Sequence, residues 1–289
     1  MGFGFGWLAP ILDQSSQPDA ELKFTTEESS WIASLHYITR GLSPIFAASL
    51  LDKVGRNSIF IFAAAVNFGM WIAVLLSRDV LVHYVIRLIF GLSAGLHETA
   101  SGIYIGENCS PDYRGTFNGI VVAFFYAAEI IVYLLPMYLS YNWVAIVYAV
   151  CGFITLLIMT MLKEPAQHLI MKGQLEKAER NYDWLRDMRD PKTKSEFESI
   201  KRNVEEEKSR AFNLELYRSP EVYRSIRIIM TITFLSMLTG FAALNSFVTK
   251  ALGKCNTTAP YADQLTVWFG VAQFVSVCAS SVIMDRFNR

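Results

Sequence analysis

Four ionisable side chains sit inside stretches that are otherwise apolar: Arg40 in HYITRGLSPIF, Arg87 and Glu98 in VIRLIFGLSAGLHETASGIYIG, and Glu129 in FFYAAEIIVYLL. A charge in such surroundings is costly unless it is paired, hydrated or able to change its protonation state. Three kinds of chemistry are therefore open to this set. Arg40 can form an interhelical ion pair with Glu98 or Glu129, the charges can contact a polar solute, or a carboxylate can exchange protons. Arg87 and Glu98 are eleven positions apart, three turns of ~3.6 residues, so both project from one helix face with only the small Gly91 and Ala94 between them. His36 lies four positions before Arg40; His83 and His97 need no role beyond a hydrogen bond within a helix bundle. A second charged set, Leu50-Leu51-Asp52-Lys53-Val54-Gly55-Arg56-Asn57, interrupts two long apolar runs. A degenerate copy, IMDRFNR, follows at the other end of the chain and contains Asp285 and Arg286.

Other chemistries are excluded early. No nucleophile and base recur at useful spacing and no glycine-rich phosphate loop is present, so neither an enzyme nor a bound cofactor is expected. Cys109, Cys151, Cys255 and Cys278 have no C-x-x-C spacing, which argues against a disulfide framework or a metal site. The 26 basic residues balance the 26 acidic ones, so no basic surface calls for nucleic acid.

The elements that must position these residues are set by composition. The chain has 289 residues, 53% hydrophobic and only 18% charged, which points to a lipid bilayer as partner. A hydrocarbon core of ~30 Å needs roughly 20 helical residues. Stretches of that kind lie at about 32–51, 58–77, 80–106, 116–139, 142–162, 226–250 and 264–284. Residues 2–12, GFGFGWLAPIL, make about half a span and read as the outer part of a truncated first helix. The loop 13–30 holds five acids and one lysine, so it is placed outside, and Lys53 and Arg56 inside, where basic residues are retained. Residues 163–224, with fourteen Lys/Arg and thirteen Asp/Glu, then lie on the cytoplasmic side. Leu175, Ala178, Tyr182 and Leu185 recur there at spacings of three and four, the mark of an amphipathic helix as against a plain solvated linker. Asn256-Thr257-Thr258, an N-glycosylation acceptor, falls in an outside loop.

In Asp52-Lys53-Val54-Gly55-Arg56, Gly55 can make a turn barred to bulkier residues, Asp52 can accept from a helix N-terminus, and the two cations can meet lipid headgroups. The echo of this turn six helices later suggests two related six-helix halves, a transporter architecture. Gly91 and Gly95 form a small-xxx-small pair that lets helices approach closely. Glu107 and Arg114 bracket a cytoplasmic turn and can contact each other, Asp52 or Arg56.

These pieces resemble the sugar porter branch of the major facilitator superfamily, and within it the arthropod facilitated trehalose transporter-like proteins. The resemblance rests on SSWIASL (29–35), Asp52-Lys53-Val54-Gly55-Arg56, Arg87-x3-Gly91-x3-Gly95, Tyr104-Ile105-Gly106-Glu107 followed by Arg114-Gly115, and Lys163-Glu164-Pro165-Ala166 with Leu169, Gly173 and Ala178. It implies an all-α polytopic membrane protein of the major facilitator fold: a first six-helix half at 1–162, a cytoplasmic linker at 163–224, and two helices of the second half at 225–289. It also implies a cytoplasmic gate made by Asp52, Lys53, Gly55, Arg56, Glu107, Arg114, Gly115, Asp285 and Arg286. Where family members carry Gln-Gln-x-Ser-Gly-Ile-Asn in the seventh helix, this chain has Ser236-Met237-Leu238-Thr239-Gly240-Phe241-Ala242, and the usual fifth-helix glutamine is Val122. The substrate-path candidates are then Arg40, Arg87, Glu98, Glu129, Thr239 and Asn245. The implied activity is facilitated diffusion of a sugar or small polyol across the plasma membrane by alternating access. A non-transporting sensor and a proton-coupled symporter using Glu98 or Glu129 are the alternatives. Four further helices are expected to complete the second half, and the chain as it stands is not expected to transport by itself.

Overall fold

The computed structural model describes residues 2–7, 24–110, 113–209, 220–254 and 259–286, and the regular structure among them is entirely helical. Asn256 lies outside the described residues. The chain divides into two compact units, residues 1–162 with 246–289, and residues 163–245.

In the first unit, α1 (Gly2–Gly6) is a short apolar helix. α2 (Thr26–Leu42) begins at a capping box: the Thr25 hydroxyl accepts from the Glu28 N–H, and the Glu28 carboxylate accepts from the Thr25 N–H. This satisfies two of the donors that a helix start leaves unpaired. The span expected as one helix over 32–51 is instead α2 followed by α3 (Pro44–Val54). The cause is Pro44, which has no N–H to give the Arg40 carbonyl. The Ser43 hydroxyl donates to that carbonyl instead, at 2.9 Å. α3 ends at Gly55, whose φ of 93° is open to glycine at little cost, so α4 (Arg56–Leu76) starts on the next residue. Asp79 then caps α5 (Val80–Asn108) through the Leu81 N–H.

α6 (Arg114–Leu134) closes in a 3-10 turn at Leu135–Met137, and α7 (Tyr141–Thr160) completes the bundle. Among the described residues, five stretches are long and apolar enough to cross a membrane: Arg56–Leu76, Val80–Asn108, Arg114–Met137, Tyr141–Thr160 and Val222–Lys254.

The core of this unit is aromatic. Trp71 is fully buried in α4; the Trp7 ring stands perpendicular to it at 5.6 Å, and Tyr148 of α7 lies at 4.7 Å. Phe3 stacks on Tyr148 at 5.0 Å, so α1 is wedged into the bundle by its own rings. Lipid tails are as apolar as these side chains, so fit rather than escape from water holds the helices together. The α2–α5 contact shows this most clearly. A Cβ on Gly91 would overlap the His36 carbonyl and Thr39 Oγ1, and one on Gly95 would overlap Ser43 Oγ. Residues from Ser246 to the end of α12 (Phe241–Lys254) and α13 (Ala259–Arg286) also belong here, with α13 lying along α6.

The second unit holds α8 (Ala166–Met171), α9 (Leu175–Leu185), α10 (Pro191–Ser209) and α11 (Pro220–Leu238). Ala178 and Tyr182 are buried with Leu169, Ile170, Phe197 and Val204, whereas Leu175 and Leu185 are exposed. The amphipathic face is therefore narrower than its spacing implies. The span expected over 226–250 breaks at Gly240, which has a φ of 72° and separates α11 from α12.

Candidate functional site

Four of the expected gate residues, Asp52, Gly55, Arg56 and Glu107, come together around one guanidinium. Arg56, with a side chain only 5% exposed, sets Nη2 2.7 Å from Glu107 Oε1 and Nη1 3.3 Å from Asp52 Oδ1. Its Nη1–H also donates to the Leu51 carbonyl at 3.2 Å, at the C-terminal end of α3 where a helix favours a cation. One side chain thus ties the end of α3, the start of α4 and the end of α5. Gly55 makes this possible by reversing the chain in a single residue. Beside it, Asn57 Nδ2 donates to the Leu162 carbonyl at 2.8 Å and links the start of α4 to the residues that follow α7.

The remaining members of the set are placed differently. Lys53 is exposed. Arg114 donates its Nε–H to the Cys109 carbonyl at 3.1 Å, within its own turn, and Gly115 is the second residue of α6. Asp285 and Arg286 are the last residues of α13, and their side chains lie outside what is described.

The charges in the apolar stretches separate into three arrangements. Arg40 takes Glu98: Nη2 lies 2.8 Å from Oε1 and Nε 2.9 Å from Oε2, a two-point contact that uses the planar fork of the guanidinium. Both side chains are partly exposed, 36% and 43%. The Phe5 ring sits 4.8 Å from the Arg40 Cζ. Arg87, on the same face of α5, is buried; Nη1 donates to the Gly4 carbonyl at 2.9 Å and the guanidinium faces the Trp7 ring at 5.1 Å. Glu129 is fully buried and accepts from the Tyr133 hydroxyl at 3.2 Å. In the second unit, Thr239 donates back to the Ser236 carbonyl, and Asn245 is half-buried in α12.

Cavities among the described residues of the first unit include two of different character. One of 230 Å³ within the bundle touches Asn67, His97 and Thr155 among aromatic side chains. It is smaller than the ~300–1,000 Å³ of ordinary small-molecule sites. A larger groove of 520 Å³ runs between α4 and α5, but its lining, from Val66 and Met70 to Ile86 and Ile89, offers a hydroxyl no hydrogen bond. The partly exposed Arg40–Glu98 pair is the better-equipped surface. Among the described residues, no cluster of His, Cys, Asp or Glu could hold a metal ion.

Sequence reasoning missed the aromatic partners of the arginines. Acids are the partners expected for Arg40, and none is assigned to Arg87, while the alternation in GFGFGW supplies Phe5 and Trp7 as ring faces. Sequence reasoning also missed Tyr133, although its i,i+4 spacing from Glu129 is a readable signal.

Comparison with known proteins gives a consistent picture. The family described as "Sugar (and other) transporter" matches residues 7–289. The facilitated trehalose transporter Tret1 of Apis mellifera ligustica is 23% identical over 295 residues, covering 100% of this chain and 58% of the relative. That of Aedes aegypti is 21% identical over 293 residues, covering 100% and 36%. Among solved structures, the proton:xylose symporter XylE bound to 6-bromo-6-deoxy-D-glucose superposes with a TM-score of 0.76 at 14% identity, covering 100% of this chain and 68% of that one. The partially occluded inward-open xylose transporter XylE from E. coli gives 0.74 at 14% identity, covering 100% and 71%. The chain therefore has the major facilitator fold, and it spans 58% of the Apis mellifera relative's length.

Proposed function

Because this chain belongs to the Sugar (and other) transporter family, we propose that it forms part of a facilitative transporter for a neutral sugar or small polyol, with trehalose and glucose as the first candidates. The observation that carries the reading is the buried Arg56–Glu107 pair, with the exposed Asp52 beside it, in a chain matched by that family over 7–289.

The first six-helix half, residues 1–162, acts as one rigid body and the half beginning near 225 as the other, with residues 163–224 joining them on the cytoplasmic side of the plasma membrane. The substrate sits between the halves and becomes accessible from each side in turn as they rock. Arg56 keeps the inner ends of α3, α4 and α5 together, so that this edge moves as a unit. Asp52, Lys53, Arg114 and Gly115 stand along the same edge, where they meet the Asp285–Arg286 end of the second half when the cavity faces outward. Glycosylation at Asn256 fits the outside face of this topology. Motion along a concentration gradient asks no proton of Glu98 or Glu129, which have Arg40 and Tyr133 as partners.

Uptake of labelled trehalose and glucose by cells expressing the complete gene tests the proposal. Saturable uptake that survives collapse of the pH gradient is expected. Uptake that vanishes with the gradient would make the protein a symporter, and no flux of any sugar would remove the transport reading.

A further inference from the structure

The geometry points to the Arg40–Glu98 pair as a substrate-contacting, specificity-determining element that binds vicinal hydroxyls of a neutral polyol. This rests on the transport reading above and adds to it the residues and the chemistry of recognition.

Depth is the first argument. Arg40 lies midway along the run from Thr26 to Val54 that α2 and α3 make. Glu98 lies ten residues from the end of α5 at Asn108, about 15 Å at ~1.5 Å per residue. Both positions fall within the hydrocarbon thickness, yet both side chains remain more than a third exposed. A charged pair facing lipid at that depth would be strongly disfavoured, so the exposed side of this pair faces the space between the two proposed halves, which holds water in a transporter. In a transporter, water at that depth is the solute path.

Hydrogen-bonding capacity is the second argument. A guanidinium carries five N–H groups, and Arg40 commits its Nε–H and one on Nη2 to Glu98. Three N–H groups remain for a ligand. Each Glu98 oxygen accepts one of these bonds and keeps a further lone pair. Donors and acceptors therefore stand side by side in one plane, the arrangement that two neighbouring hydroxyls, each both donor and acceptor, can match.

Rigidity is the third. Phe5 supports the guanidinium on one face, and the Arg40 backbone is pinned by the Ser43 hydroxyl and by the close seat of α2 on Gly95. A partner held this firmly binds a ligand without paying to order the side chain. The pair is also neutral as a whole. It therefore offers a charged sugar no net attraction to offset the cost of desolvating its charge, and a neutral polyol is favoured.

The test uses cells expressing the complete gene, with surface abundance measured in parallel. Arg40→Gln and Glu98→Gln should each raise the KM for the transported neutral sugar about tenfold or more, the size expected for a lost hydrogen bond to a charged group. Unchanged KM in both single variants would mean that the pair only joins α2 to α5, and the inference would be overturned.

Should the variants fail to reach the surface, competition on the wild-type protein decides. A uronic acid and an amino sugar should compete at least tenfold more weakly than the neutral parent sugar. Equal competition overturns the inference while leaving transport intact. A wild-type protein that carries no sugar overturns this inference and the transport reading together.

Discussion

Arg56 touches oxygens at two helix ends, and its worth differs from that of its partners. The Arg56–Glu107 pair is nearly sealed from solvent, with side chains 5% and 8% exposed, while Asp52 is 53% exposed. Removing one member of a buried pair leaves the other charge uncompensated, at a cost of about 3–5 kcal/mol. Glu107→Gln and Arg56→Met are expected to lower the melting temperature of the detergent-solubilised protein sharply. Asp52→Asn should cost only about 0–1 kcal/mol, as exposed pairs do. Equal melting temperatures for Asp52→Asn and Glu107→Gln would show that burial does not set the hierarchy. These residues were legible because the motif carries its own turn, charge and spacing. The pairing of Arg40 was not, because Glu98 and Glu129 both satisfy the sequence, and only the close seating of α2 on Gly91 and Gly95 brings Arg40 to α5.

The elements owe their positions to a few small residues and one proline. Gly91→Val places methyl groups where the His36 carbonyl and Thr39 Oγ1 already lie. Overpacking of this kind costs about 1–3 kcal/mol or more, and here the obstruction is partly backbone. The expected outcome is loss of folded protein by fluorescence-detected size exclusion, whereas Gly102→Ala, which meets nothing within 4 Å, should be silent. Comparable losses in both would remove the close-approach account.

Periodicity and hydropathy located the helices of the first unit to within a few residues but missed the break at Ser43. Its cause is a single absent N–H, to which an average over twenty residues is blind. Gly240 interrupts the 226–250 span for a similarly local reason, a backbone conformation with positive φ.

Tyr182 offers a pH test within the second unit. Burial raises its phenol above the ordinary value of 10.0; Arg186 opposes the shift and Glu196 adds to it. The folded form thus holds the proton more tightly than the unfolded chain does. Its contribution to stability is complete below pH 10.0 and is lost as the pH rises through the higher folded value. Tyr182→Phe should flatten the alkaline loss of helicity; an unchanged alkaline profile would show that this phenol is not responsible.

At the scale of the whole molecule, the echo between Asp52-Lys53-Val54-Gly55-Arg56 and Asp285-Arg286 is the feature that ties sequence to architecture. A repeated turn six helices apart is what two related halves carry. That relation was open to inspection in the residues alone, and the fold likeness to the xylose transporter agrees with it. Which charged side chains remain half-exposed at mid-depth was not, because burial is set by packing rather than by residue type. Counterflow measures the central claim most directly. Vesicles containing the product of the complete gene, loaded with unlabelled trehalose or glucose and diluted into a trace of the labelled sugar, should accumulate label transiently above its outside concentration with no pH gradient present. Label that only equilibrates passively, at the rate of protein-free vesicles, would contradict the account.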